Sequence, residues 1–309
     1  MIETYTSTGK KILRHLDELM MFQETGMIDA ISLQIAPTSR CNLNCVFCSN
    51  ANRKKHEDLL LTDLMEFMRG MRVYDAKTIE WTGGGDPTQY EFILPAINEA
   101  HRLGYKQGMI TNGIALKENI GNLVNYFSWL RVSLNSLDYV DDIQLPDFKG
   151  VLGFSYVMNK NTTGKIFDKI RAFVVAHPPK YIRIVPDCQI TGVALAEKNL
   201  HYSAMVKELG PPYFYQTKTF SQPKRCWWGH FKPFLLHDGY IYPCSSVVLN
   251  DTSERSFHKK FRWMTMAEFL NRRESEAVPY DCKDCTNCVF GEQNELIEAA
   301  INPDMECFI

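Results

Sequence analysis

Three cysteines crowd the stretch Cys41-Asn-Leu-Asn-Cys45-Val-Phe-Cys48, with three residues between the first two and two between the last two. Cysteine thiolates bind soft metals, so a set this dense is first of all a metal loop. On a four-iron cluster three thiolates leave one iron without a protein ligand, and an open iron is a place for chemistry. Zinc also takes thiolates at short spacing. Zinc loops more often pair two CxxC knuckles, whereas here the next cysteine is the distant Cys188 and the nearest histidine is His56.

A second stretch able to do chemistry is Trp81-Thr82-Gly83-Gly84-Gly85-Asp86-Pro87. Consecutive glycines let the backbone approach a ligand and present its amides and carbonyls, and they also make an ordinary tight turn. Further on, Arg131-Val-Ser133-Leu-Asn135-Ser136 places alternating polar side chains at the end of a β-like run. Arg183 closes another such run, and a guanidinium is the geometric partner of a carboxylate. Cys188 lies just beyond, outside every metal spacing; it reads as a buried inert thiol or as a thiol facing a substrate.

Together these motifs resemble the radical S-adenosylmethionine (SAM) superfamily, whose CxxxCxxC signature matches Cys41, Cys45 and Cys48, down to the aromatic Phe47 before the third thiol. The resemblance implies that the open iron of a [4Fe-4S] cluster chelates SAM and that reductive cleavage gives a 5′-deoxyadenosyl radical, which abstracts hydrogen. It implies that Gly83, Gly84 and Gly85 receive the SAM amino group, with Asp86 standing where Glu is usual. By the same resemblance Ser133 and Asn135 are candidates for the ribose hydroxyls, and Arg183 for the SAM carboxylate. Cys188 would be the hydrogen donor of a radical epimerase, the rival to oxidation or cross-linking.

The C-terminal third holds six of the ten cysteines. Cys226 is followed after twelve residues by Gly239 and, four residues further, by Cys244; then come Cys282-Lys-Asp-Cys285-Thr-Asn-Cys288 and Cys307. This pattern resembles the SPASM and twitch extensions of radical SAM enzymes, which carry auxiliary iron–sulfur clusters. The resemblance implies one auxiliary [4Fe-4S] cluster on Cys226, Cys244, Cys282 and Cys285. Cys288 can replace one of the pair, or join Cys307 in an incomplete second cluster. A structural zinc ribbon is the alternative for these residues, and a zinc-binding interaction module without catalysis is the alternative for the chain.

Elements must hold these loops in place. From residue 31 onward strand-like and helix-like runs alternate, the signature of parallel β/α units. Strands are expected at 31–36, 78–82, 107–111, 129–134, 151–158 and 181–185, and helices at 62–71, 92–103, 116–127, 166–176 and 194–209. This fits an α/β fold with a partial (β/α)6 TIM-like barrel, followed by a small irregular iron–sulfur domain with a β-hairpin at Asp238-Gly239-Tyr240. In parallel barrels functional groups gather at the C-terminal ends of strands, where the motifs fall. The expected organisation is a covering helix in 1–30, the barrel in 31–210 and the auxiliary-cluster domain in 211–309. Trp227, Trp228, Phe231 and Phe234 are expected to pack around the cluster, and the helix-like 292–300 to be a solvated face. With forty residues before Cys41, no separate peptide-binding or cobalamin-binding domain is expected at this end.

The 309 residues include 34 Lys and Arg against 36 Asp and Glu, a net charge of −2 that argues against a nucleic-acid partner. Arg53-Lys54-Lys55 is a local basic patch at most. No apolar run reaches membrane-spanning length and no signal peptide is evident, so a cytoplasmic location is expected and with it cysteines that bind metal rather than form disulfides. The Asn161-Thr-Thr and Asn250-Asp-Thr glycosylation patterns are then idle. The partners implied are a peptide or small-molecule substrate and an electron donor such as flavodoxin or ferredoxin.

Overall fold

The computed structural model describes residues 5, 6, 8–51, 53, 54, 56–249, 257–272 and 276–301. Cys307, Lys55 and the Asn250-Asp-Thr pattern lie outside the described residues. The six expected strands are present as β1 (Ser32–Ala36), β2 (Thr78–Trp81), β3 (Lys106–Thr111), β4 (Phe127–Ser133), β5 (Val151–Met158) and β6 (Tyr181–Pro186). They pair in parallel in chain order, and β7 (Tyr213–Tyr215) extends the same edge. This is the mixed α/β architecture, with a mostly parallel sheet, expected of a partial barrel.

The other edge is built from the C-terminal third. β9 (Phe234–Leu236) lies parallel to β1, and β10 (Tyr240–Tyr242) and β11 (Met264–Thr265) follow it antiparallel. The hairpin at Asp238-Gly239 is present: Gly239 takes φ 80°, and the Asp238 carboxylate accepts from the Tyr240 amide. β8 (Arg225–Cys226) instead joins β12 (Tyr280–Asp281) in a separate two-stranded sheet.

Apolar periodicity explains the outer layer. The helix Leu61–Val73 buries Leu64, Phe67, Met68 and Met71, and the helix Ile93–Arg102 buries Ile93, Ala96, Ile97 and Ala100. Each large side chain fully removed from water contributes about 1.5–3 kcal/mol. The helix expected over 116–127 is broken into Leu116–Asn119 and a 3-10 stretch Gly121–Tyr126, because Gly121 adopts φ 53° between them. The N-terminal segment is likewise divided, into Gly9–Arg14 and Leu16–Thr25. Ile12, Leu19 and Phe22 of this segment are buried in a second hydrophobic cluster, among the residues around Cys226, Cys244 and Cys282. Leu13, Leu16 and Met20 are exposed.

The inward positions of the parallel strands line a cavity of about 1270 Å³. Gln34, Glu80, Arg131 and Arg183 lie on its wall. Trp129 and Tyr181 also line it, and two glycines make room for their rings: a Cβ on Gly108 would fall 2.3 Å from the Trp129 indole, and one on Gly153 would fall 2.1 Å from the Tyr181 ring. Among the described residues no helix is long and apolar enough to cross a membrane.

Candidate active site

The cysteine loop leaves the C-terminal end of β1 and is laced to the segment that follows it. The Ser39 amide donates to the Glu57 carbonyl at 2.8 Å, and the Leu59 amide to the Pro37 carbonyl at 2.9 Å. Arg53, buried, donates to the Ser39 carbonyl at 2.8 Å and the Asn50 carbonyl at 2.7 Å, and its guanidinium lies 3.8 Å from the Cys48 sulfur. Arg40 is ion-paired with Asp58 at 2.7 Å. Phe47 is buried and anchors the loop. Cys41, Cys45 and Cys48 are free, partly exposed, and all three line the cavity. Burial, then Cys48 and Cys41, push the Cys45 thiol up to about 12, and burial raises Cys41. Thiolates that repel one another in this way are relieved by a cation between them.

The glycine motif packs directly on this loop. The Gly85 amide donates to the Thr38 carbonyl at 2.8 Å, and the Asp86 amide to the Arg40 carbonyl at 2.7 Å. A Cβ on Gly85 would sit 1.9 Å from the Arg40 oxygen, and one on Gly83 would sit 1.7 Å from the Gly85 oxygen. All three glycines line the cavity, and Gly84 also abuts the buried His237 from the β9–β10 turn. These glycines therefore form a cradle that no side chain could enter. It suits close approach of a ligand's polar end.

Asp86 differs from the other motif residues. It is 3% exposed, and its carboxylate accepts from the Thr88 amide and hydroxyl, the Thr111 hydroxyl and the Asn112 amide, at 2.6 to 3.0 Å. Burial pushes this carboxyl up against those hydrogen bonds. Asn112, held by Asp86, reaches the Cys41 sulfur at 3.6 Å and Asn42 at 2.6 Å. The aspartate thus ties the end of β3 to the cysteine loop.

At the end of β4 the two sequence candidates part. Ser133 lines the cavity, whereas Asn135 is 1% exposed and bonds both ways with the Val157 backbone, at 2.7 and 2.9 Å. That exchange fastens the end of β4 to β5 and occupies the side chain. Arg183 shares a register row with Ser133 and Ser155 and donates to Gln216 at 3.0 Å. Cys188 lies on the cavity wall beside the cysteine loop; its sulfur is 3.5 Å from the Phe47 carbonyl, and burial pushes it up to about 11. Sequence reasoning gave no role to Glu80, Arg131, Lys218 or Lys232, which also line the cavity. For Glu80 and Arg131 the available signal was a charged residue within a strand; Lys218 and Lys232 lie in connections between elements and carried no such signal.

Five C-terminal cysteines come together. Cys226, Cys244, Cys282, Cys285 and Cys288 are free and each is at most 8% exposed. The β8–β12 pairing sets Tyr280 beside Cys226, which brings Cys282 near; this, rather than the β9–β10 hairpin, aligns Cys226 with its partners. The Ser221 and Cys288 backbones exchange hydrogen bonds at 2.9 and 3.0 Å, bringing Cys288 to the same region. Hydrogen bonding with Cys282 draws Cys226 and Cys285 down while Cys282 itself is raised. Among the described residues no three His, Cys, Asp or Glu side chains converge on one metal ion.

The expected solvated face at 292–300 is instead a docked helix, Gly291–Ile301. Its Asn294 is buried, accepts from the Trp227 amide at 2.7 Å and donates to the Arg225 carbonyl at 3.0 Å. Trp228 and Phe290 stack with ring centroids 5.3 Å apart, and both residues border the cavity.

Residues 35–174 match the model of the Radical SAM superfamily. A segment is 24% identical over 112 residues to an S-adenosylmethionine-dependent nucleotide dehydratase of Thermoplasmatales archaeon (strain ISO4-H5), covering 36% of this chain and 40% of that protein. Another is 29% identical over 109 residues to a probable GTP 3',8-cyclase of Sulfurisphaera tokodaii, covering 34% of each. The matched segments thus span well under half of these curated relatives. Among solved structures, Streptococcus suis SuiB bound to precursor peptide SuiA superposes with a TM-score of 0.55 at 13% identity, covering 86% of this chain and 70% of that one. The anSMEcpe protein with bound AdoMet gives 0.53 at 14% identity, covering 88% and 84%. These two share the fold.

Proposed function

Residues 35–174 are a radical SAM domain, and from that premise we propose that this chain reductively cleaves SAM and abstracts hydrogen from an unactivated carbon of a peptide or small molecule. The observation that carries the reading is the glycine cradle locked by its backbone onto a loop of three cavity-facing thiols. Cys41, Cys45 and Cys48 would hold the cluster, Gly83 to Gly85 the amino end of SAM, Ser133 its ribose and Arg183 its carboxylate. Bound together, cluster and SAM supply a hydrogen-abstracting carbon radical. The chain's own residues position and protect. Asp86 fixes Asn112 against Cys41, and Arg53 holds the loop beside Cys48.

In the C-terminal part, Cys226, Cys244, Cys282 and Cys285 would hold one auxiliary [4Fe-4S] cluster, with Cys288 able to replace one ligand. Such a cluster could take the electron of a substrate radical, giving net oxidation or cross-linking, and an external donor such as flavodoxin or ferredoxin would supply the reducing electron. The division into a covering segment 1–30, a barrel 31–210 and an auxiliary unit 211–309 belongs to this reading. A zinc-binding module without catalysis offers no account of the glycine cradle.

A second reading, epimerisation, is favoured by the place of Cys188: a protonated thiol on the cavity wall can quench a carbon radical. Anaerobic incubation of reconstituted protein with dithionite and SAM tests the main reading through release of 5′-deoxyadenosine and methionine. No release above a Cys41, Cys45, Cys48 triple-alanine control would refute it. With a turned-over substrate, Cys188→Ala blocks product but not SAM cleavage if the thiol is the donor; unchanged product rejects that role.

A further inference from the structure

The cavity wall carries more positive charge than its own carboxylates balance. Glu80 accepts from Gln34 at 2.6 Å and pairs with Lys232 at 3.3 Å; burial opposes its charge, yet Lys232 and Arg131 hold its carboxyl below the usual range. Arg131, Arg183 and Lys218 have no ion pair among the described residues. The Nε of Arg131 and the Nε of Arg183 are buried without a hydrogen-bond partner. Arg131 rests over the Trp129 ring at 5.7 Å, and Arg183 holds only Gln216.

Like charges in such a place oppose one another. Burial, then Arg131, push the Arg183 guanidinium down to about 9, and burial lowers Lys218. Leaving a buried donor unsatisfied costs about 1–3 kcal/mol, and more for a charged group, so an anion in the lumen would relieve a standing penalty. SAM does not supply enough negative charge. It brings one carboxylate, able to meet one guanidinium, together with a cationic amino group and a sulfonium. The cavity of about 1270 Å³ exceeds the roughly 300–1,000 Å³ usual for a single ligand, so a second molecule fits beside SAM.

We propose that the substrate carries an oxyanion, a phosphate ester or a carboxylate, that Arg131 grips in the barrel lumen with Lys218 contributing positive charge, while Arg183 is kept for the SAM carboxylate. The inference rests on the radical SAM reading and deepens it by naming the substrate's chemistry. Guanidiniums suit this because they offer paired N–H groups to two oxygens at once. Arg131 lies two residues before Ser133 on β4, deeper in the barrel than the SAM-facing end, which leaves it to the substrate.

Calorimetric titration of the reconstituted protein, with and without saturating SAM, tests this using pyrophosphate and glutarate as probes, with SAM titrated separately. The expected result is that at least one probe binds the SAM-loaded protein. Pyrophosphate binding alone marks a phosphate ester, and glutarate binding alone marks a carboxylate. Arg131→Gln weakens the probe at least tenfold and leaves SAM affinity unchanged; Arg131→Lys, which keeps the charge but loses the paired N–H groups, weakens it by less than Arg131→Gln. The proposal is overturned if neither probe binds while SAM does, if Arg131→Gln binds the probe as well as wild type, or if the probe displaces SAM. Failure of wild type to bind SAM would instead refute the underlying radical SAM reading.

Discussion

Gly85 and Asp86 show how two neighbouring residues divide the work of one motif. Gly85 keeps the cysteine loop in contact with the end of β2, since any Cβ there would meet the Arg40 oxygen at 1.9 Å. Gly85→Ala is therefore expected to destabilise the protein by about 1–3 kcal/mol in urea titration and to loosen the thiol loop. Reconstituted iron in this variant should fall toward the amount held by the C-terminal cysteines alone. Asp86 is buried and saturated by the Thr88, Thr111 and Asn112 donors. Asp86→Glu, which restores the commoner residue of the family, adds a methylene to that closed site. A loss of about 1–3 kcal/mol is expected on thermal or chemical unfolding, not a gain, and unchanged stability would show that the site has room.

At the scale of elements, the helices Leu61–Val73 and Ile93–Arg102 are joined by Glu99, which Arg69 and Arg102 both bind at 2.7 Å. Arg102 foremost, with Arg69, holds the Glu99 carboxyl down at about 2. Because its folded value lies below its unfolded one, the pair's stabilisation is present above about pH 4.5 and is lost as pH falls toward 2. Both arginines are more than half exposed, so screening limits the effect to about 1 kcal/mol. Glu99→Gln should lose stability at pH 7 while unfolding in acid over a shallower range; an identical acid limb would contradict the assignment. These two helices and the six parallel strands were legible because inward apolar residues recur with clear periods. The strand β7, the β9–β11 addition to the barrel edge and the docking of Gly291–Ile301 were not. Strands of two or three residues carry no readable alternation, and the buried polar Gln293 and Asn294 make an inward face look like a wet one. Among site residues, the thiols and glycines were readable from spacing. That Asn135 serves β5 rather than the cavity, and that Arg131 faces the lumen, depended on pairings distant in sequence.

As a whole molecule the chain connects two groups of thiols through one cavity. Cys41, Cys45 and Cys48 line it at the barrel mouth, and Ser245 and Val289, next to Cys244 and Cys288, line it on the C-terminal side. The N-terminal segment closes the second group from outside through Ile12, Leu19 and Phe22. On the function proposed above, the two groups would hold separate clusters, one open to SAM and one enclosed. Iron content and visible absorbance after anaerobic reconstitution test this most directly, on wild type and on a Cys41, Cys45, Cys48 triple-alanine variant. About eight irons are expected in the wild type and about four in the variant, which keeps its brown colour. A variant stripped of all iron would contradict this, because the five C-terminal cysteines would then hold no cluster.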